Sequence, residues 1–489
     1  MRGWAALWGL LLALSLHAAS YRLHESLKVP GALFFSPAAS SERLAAFGYL
    51  SKAQPTPEEI AAEKRRIHRI LESAITREYG GWEGYEEAMK KAGEEAANQA
   101  DNEEPSWAKA LMPPFLIEEA VPFFMKGALM WVMAHPEART EPFGNVGETG
   151  VVLLEPSGRY AKVPLGINQP VASLDISPDG RYVAALGDMS TEDEKGRLHT
   201  VGRISLVDTK TRKVVFSAIF AHATDEVRFS PDGRSLALLL RDPNDWNRMA
   251  VRFLDIPGGW LQKGAIYFEG FDTTQNIHGK TRRLPRFRFV DGGRALALFD
   301  SGEKGLICYD LRTKTRRGEA VRGSGPLFGA AHAHPWLLDA RGRLFRCGER
   351  RPVFDLKLPR DLLHEFVDVA FTPDDTAALA TDWMGCLYRI DPRTGRYEKS
   401  RCRLGERAGL FFLFPDGRTL AAFREVPKEG FVRFGPLKRK KVELRLFDAA
   451  SLRPLQTLRP PRGTVLDAAA ANETLFLGNF DTVDIYTKE

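Results

Sequence analysis

The sequence predicts a mainly β chain folded as a β-propeller, from a repeated hairpin, a recurrent third strand and a fourth strand after it. The clearest hairpin is 225–240, DEVRFSPDGRSLALLL, in which two apolar runs flank the turn SPDG at 230–233. Asp232-Gly233 suits such a turn, because Gly accepts a positive φ and Asp bonds its own backbone. Related copies stand at 174–186, 287–299, 369–380 and 411–423, with fainter ones at 328–338 and 465–477. Third strands close on an apolar-Asp pair at 203–208, 250–255, 305–310, 385–391 and 442–448. Fourth strands follow at 214–220, 351–358 and 453–458. Four strands per unit, stacked on neighbours of the same kind, make a propeller blade.

The motif FSPDG, followed by an apolar strand and a third strand ending in Asp, resembles the WD-repeat and related YVTN-type propellers over about 146–489. Val207, Leu254, Tyr309, Ile390 and Phe447 stand where a WD repeat carries tryptophan, and Ala221-His222 replaces its opening Gly-His. The resemblance implies fold rather than function, since propellers host many activities. Hairpins centred near 178, 231, 290, 335, 373, 415 and 471 predict seven blades, with six or eight left open by the weak units at 335 and 471. Their mean spacing of about 49 residues exceeds the usual ~40–45, so the chain carries insertions. The last blade runs out of residues after its third strand, and 151–164 is the expected outer strand that closes the ring.

Upstream of the repeats the chain changes character. Arg2 precedes an apolar run from Trp4 to Leu16, and Ala18-Ala19-Ser20 offers small residues, as in a secretory signal peptide over 1–20. An uncleaved anchor is the alternative; either places the protein in the periplasm or outside the cell. Residues 21–145 are expected to form a helical segment preceding the propeller at 146–489. Thr56-Pro57-Glu58-Glu59 has the form of a capping box, and Ile60, Ile67, Ile70, Leu71, Ala74 and Ile75 share a helical face until Gly80-Gly81. The apolar stretch 111–134 contains Glu118, Glu119 and Lys126 with three prolines, so it is expected to dock on the rest of the protein rather than span a membrane. An interfacial membrane helix or a partner-binding helix is the other reading.

Few residues suggest catalysis. The chain of 489 residues is 27% charged with a net charge of +6, an ordinary globular balance that does not itself call for nucleic acid. His332-Ala333-His334 has strand spacing but no evident third metal ligand. Glu192-Asp193-Glu194 and Asp374-Asp375 read as solvated loops before they read as cation sites. No nucleophile elbow, haem motif or dinucleotide-binding spacing occurs, and neither a cofactor nor a metal is expected. Four cysteines are too few for a disulfide scaffold, but folding the 386–402 hairpin about Thr394 sets Cys386 opposite Cys402, which predicts a bridge in an oxidising compartment.

The functional expectation is a non-catalytic scaffold that binds another protein of the cell envelope. A propeller hydrolase or lactonase with convergent His, Asp and Glu in its channel is the alternative, and a sensor of an anionic ligand a third. Basic runs at 280–288, 312–317 and 438–441 make an anionic lipid or polymer a second type of partner, with nucleic acid disfavoured by the leader. Long segments at 187–202, 270–284 and 424–441 all fall on one propeller face. Candidate contacts there are His199, Trp246, Phe271, His278, Phe431, Lys438, Arg439, Lys440 and Lys441.

Overall fold

The structure, a computed structural model, describes residues 20–488 apart from most of 52–147 and shorter stretches, the longest of them 427–440. It is a propeller of eight blades, not seven. Chain order begins with β1 (Tyr21–Lys28), and β2 (Ala32–Ser40), β3 (Ala45–Ser51), β4 (Glu148–Leu154) and β5 (Tyr160–Ile167) form blade 1. Blades 2 to 7 then occupy 173–220, 224–269, 287–322, 328–355, 366–399 and 408–458. The seven recognised hairpins are blades 2 to 8, and the additional blade lies upstream of them.

Among the described residues no helical segment precedes the propeller, because β1 to β3 already belong to it. The described helical positions, such as Glu58 and Ile75, fall inside the connection from β3 to β4. There the capping box is present: Glu59 N–H donates to Thr56 Oγ1 at 3.2 Å, and Thr56 N–H to Glu59 Oε2 at 2.8 Å. Residues 111–134 lie outside the described residues. No helix among the described residues is long and apolar enough to cross a membrane.

Ring closure also differs from expectation. Residues 151–164 form parts of β4 and β5 in blade 1, and β1 supplies the outer strand of blade 8. Blade 8 takes its other strands from Asp467–Ala471, Thr474–Gly478 and Thr482–Lys488. The pairing is antiparallel, from Tyr21 opposite Lys488 to Lys28 opposite Thr482. Tyr21 is tied across to blade 7, its N–H donating to Gln456 Oε1 at 2.6 Å and its carbonyl accepting from Gln456 Nε2 at 2.8 Å. The outer side of Thr482–Lys488 is thereby paired rather than open, and the ring is closed by the N-terminal strand.

The core lies between blades rather than inside any one of them. Ala46, Val151 and Leu165 of blade 1 pack on Leu174 and Val183 of blade 2. The same apolar sandwich recurs at every junction round to Phe414 and Leu444 of blade 7 on Ala470 and Leu475 of blade 8. Phe47 and Val152 against Ala469 and Phe476 complete the ring. Near-continuous apolar strands such as LALLL at 236–240 follow from this, since both faces of each sheet are covered.

Candidate functional site: the rim that carries the insertions

Antiparallel order sends first-to-second and third-to-fourth turns to one rim of the ring. Second-to-third turns and blade-to-blade connections go to the other. The first rim is short and internally locked. In SPDG turns the Asp accepts from Ser and from the residue two further on: Ser177 Oγ to Asp179 at 2.7 Å, Arg181 N–H to Asp179 at 3.0 Å. Gly233 and Gly417 have φ of 69° and 68°, and the Pro of the preceding blade's turn abuts each: a Cβ would lie 3.5 Å from Pro178 and 2.7 Å from Pro373. The third-strand Asp residues cap the next turn, as Thr211 N–H to Asp208 and Ser451 N–H to Asp448 show at 2.8 and 2.7 Å.

The paired acids 374–375 and the histidines 332–334 belong to this rim and have structural work. Asp375 takes the left-handed position, φ 55°, and its buried carboxylate accepts from the N–H groups of His332, Ala333 and His334 at 2.7, 2.7 and 3.0 Å. His334 Nδ1 adds a contact of 3.1 Å to the same carboxylate. Asp374 caps its own turn through Thr376. Blade 5's turn is thereby clasped by blade 6, while its carbonyls at His332 and His334 accept from Gly292 and Asp291 of blade 4. Among the described residues no group of three His, Cys, Asp or Glu could hold a metal.

All the long insertions leave by the other rim. The connection 52–147 joins β3 to β4 there, and its base is clamped. Tyr49 lies over Gly150, where a Cβ would come 2.5 Å from the ring, and donates to Glu148 at 3.0 Å; burial and then Glu148 push its hydroxyl pKa up. The segment expected as a loop at 187–202 is largely strand, an arm in which Tyr182–Glu192 pairs with Leu198–Asp208. Blade 3 builds a similar arm from Ser235–Asp242 and Asp245–Asp255. The blade 3-to-4 connection carries a hairpin, Thr274–Ile277 with Lys280–Arg283. Thr419–Val426 and Lys441–Asp448 flank 427–440 in blade 7.

Of the candidate contacts, His199 sits opposite Thr191 in the blade 2 arm, Trp246 near the tip of the blade 3 arm, and Lys441 opposite Val426. Phe271, His278, Phe431, Lys438, Arg439 and Lys440 lie outside the described residues. Two exposed aromatics on this rim carry no repeat signal in the sequence: Trp383 in the blade 6 turn, 38% exposed, and Tyr267 in blade 3, 44% exposed.

Charges on the innermost strands of blades 2 to 4 are paired with one another. Glu226 receives Arg288 at 2.6 Å and Arg228 at 2.8 Å, and Arg228 lies 3.7 Å from Asp175. Burial alone would raise Glu226, but the two guanidiniums hold it at about 2; burial prevails at Asp175, whose pKa is raised. No imidazole joins this group among the described residues.

Cys308 of blade 4 is bonded to Cys347 of blade 5, with Cα atoms 5.6 Å apart. Cys386 is buried and not free, and Cys402 lies outside the described residues. The four-stranded blades and their capped turns fit a WD-repeat-like propeller. Solved structures to which the chain is similar include the crystal structure of the mitotic checkpoint complex, at 12% identity and TM-score 0.43, covering 65% of this chain and 86% of that one. The C-terminal WD40 domain of Sif2 matches at 11% and 0.46, covering 70% and 89%. No family model and no curated protein matches the chain.

Proposed function

We propose that this chain is a non-catalytic scaffold in the periplasm or outside the cell, and that it binds another protein through the insertion-bearing rim. The observation that carries the reading is topological: 52–147, the two arms, the 274–283 hairpin and 427–440 all leave by one rim. The opposite rim is occupied by tight turns that bond to each other. Long segments on a rigid frame provide contact surface, whereas turns already committed to their neighbours have little left to offer. Export is supported by the leader-like residues 1–20 and by the Cys308–Cys347 bridge, which suits an oxidising compartment.

Two measurements test this. Alanine at His199 and Trp246, combined with charge reversal of 438–441, is expected to abolish capture of the partner by cross-linking in intact cells, with the melting temperature unchanged. Equal loss from changes at Lys210, Arg312 and Arg393 on the tight rim would overturn it. N-terminal sequencing of the mature protein is expected to begin near Ser20; a chain retaining Met1 in the cytoplasm would contradict export.

A further inference from the structure

Blades 3 and 4 part at the insertion-bearing rim to leave an open cleft of about 800 Å³, within the ~300–1,000 Å³ typical of ligand sites. Arg248 comes from the third strand of blade 3, Tyr267 and Glu269 from the added strand Ile266–Glu269 beside it. Glu303 and Lys304 come from the second turn of blade 4, and Arg322 from its outer strand. The chain then leaves Glu269 for the hairpin whose second strand, Lys280–Arg283, reads KTRR.

Charge in the cleft is unevenly satisfied. Glu303 is engaged at 2.7 Å by Arg316 and lies 3.9 Å from Arg322. Asp300 is buried and accepts from Glu303 N–H at 3.1 Å. Among the described residues no carboxylate pairs with Arg248 or Lys304. The Arg248 guanidinium is instead held 4.4 Å over the Tyr267 ring, which fixes its plane and leaves its N–H fork available. Glu269 lies against the bare Cα of Gly302, where a Cβ would approach its Oε2 to 2.3 Å, and has no donor among the described residues.

We propose that this cleft takes an acidic peptide segment, with side-chain carboxylates on Arg248, Lys304 and Arg322 and a backbone N–H on Glu269. The cleft is lined by three cations and three carboxylates, but Asp300 is buried and Glu303 is taken by Arg316, so the charge left open to a ligand is mainly positive and suits an anion. Glu269, exposed beside them, adds an acceptor that a peptide N–H can meet and that a phosphate polymer cannot use. The assignment rests on the protein-binding reading of this rim and names the chemistry of the segment bound.

The test uses the full mature chain and a fluorescein-labelled alternating Glu-Gly decapeptide, followed by anisotropy at fixed ionic strength. Binding is expected to be at least roughly tenfold tighter than for the Gln-Gly counterpart, and roughly tenfold weaker in R248E/K304E/R322E. Arg322→Glu alone, at a side chain 72% exposed, is the folding-safe version and is expected to lose about threefold. Glu269→Met, which removes the acceptor, is expected to weaken the peptide relative to inorganic polyphosphate, which gains from the lost negative charge. Unchanged affinity in the triple variant, or polyphosphate displacing the peptide below the peptide's own concentration, would overturn the assignment. If the triple variant still cross-links to the partner in cells while the parent fails to bind peptide, the cleft assignment falls and the scaffold reading stands. Absence of any cross-link from the parent removes the scaffold reading itself.

Discussion

At the left-handed position of the first turn, blades 2, 3, 4 and 7 use Gly, blade 8 uses Asn472 and blade 6 uses Asp375. Gly admits the neighbouring Pro; Asp375 instead accepts three backbone N–H groups from blade 5. Asp375→Ala should therefore both strain φ and orphan buried donors, costing about 2–4 kcal/mol. Asp375→Gly keeps the conformation and loses only the acceptor, so its urea midpoint should fall between those of Ala and parent. Glu226 gives a pH signature. With its pKa lowered from 4.5 to about 2, its stabilisation is full above pH 4.5 and lost as pH falls towards 2, on the order of 3 kcal/mol in all. Asp175, with its pKa raised by burial, works in the opposite sense as pH rises through 3.8. Glu226→Gln should trail the parent at pH 7 by a gap that narrows in urea titrations below pH 4.5. The turn-capping Asp and Gly residues were legible in the sequence because their partners are local. Asp375 was not, because its partners belong to another blade 41 to 43 residues away.

Blade 1 escaped the repeat pattern at the scale of elements for two reasons. Residues 52–147 separate its second and third strands, and its first turn has no Asp-Gly. Ser41 does the turn's work, accepting from Leu44 N–H at 3.1 Å. A signal was present: FFSP at 34–37, and LAAF at 44–47, identical to 420–423 in blade 7. Missing this blade displaced the closing strand from 21–28 to 151–164. Deletion of Tyr21–Lys28 should leave the Thr482–Lys488 edge open, lower the melting temperature sharply and promote association through that edge; a variant melting like the parent would contradict closure by β1. The Cys308–Cys347 bridge was also hidden, since hairpin reasoning pairs cysteines within a blade and this one joins two. It closes a segment of sequence separation 39, and C308S/C347S should cost about 2–4 kcal/mol in urea under non-reducing conditions.

For the whole molecule, a ring with its hydrophobic core distributed over every junction gives one stiff frame with two unlike rims. Repeat spacing in the sequence was enough to place long segments on one of them, because the alternation of strand direction needs no coordinates. Cleft residues Arg248 and Tyr267 and the exposed Trp383 were beyond such reasoning, as they are brought out by packing between blades. Trp383→Ala is expected to weaken partner capture by roughly tenfold or more while leaving stability unchanged, as for an aromatic anchor at an interface. The central claim, that one rim binds, is tested most directly by photo-cross-linkers placed singly at Trp383 and Lys304 on the insertion-bearing rim and at Lys210 and Arg393 on the tight rim. The same protein adduct should appear in intact cells from Trp383 and Lys304 and from neither of the others. Adducts from Lys210 or Arg393, with none from Trp383 and Lys304, would contradict the account.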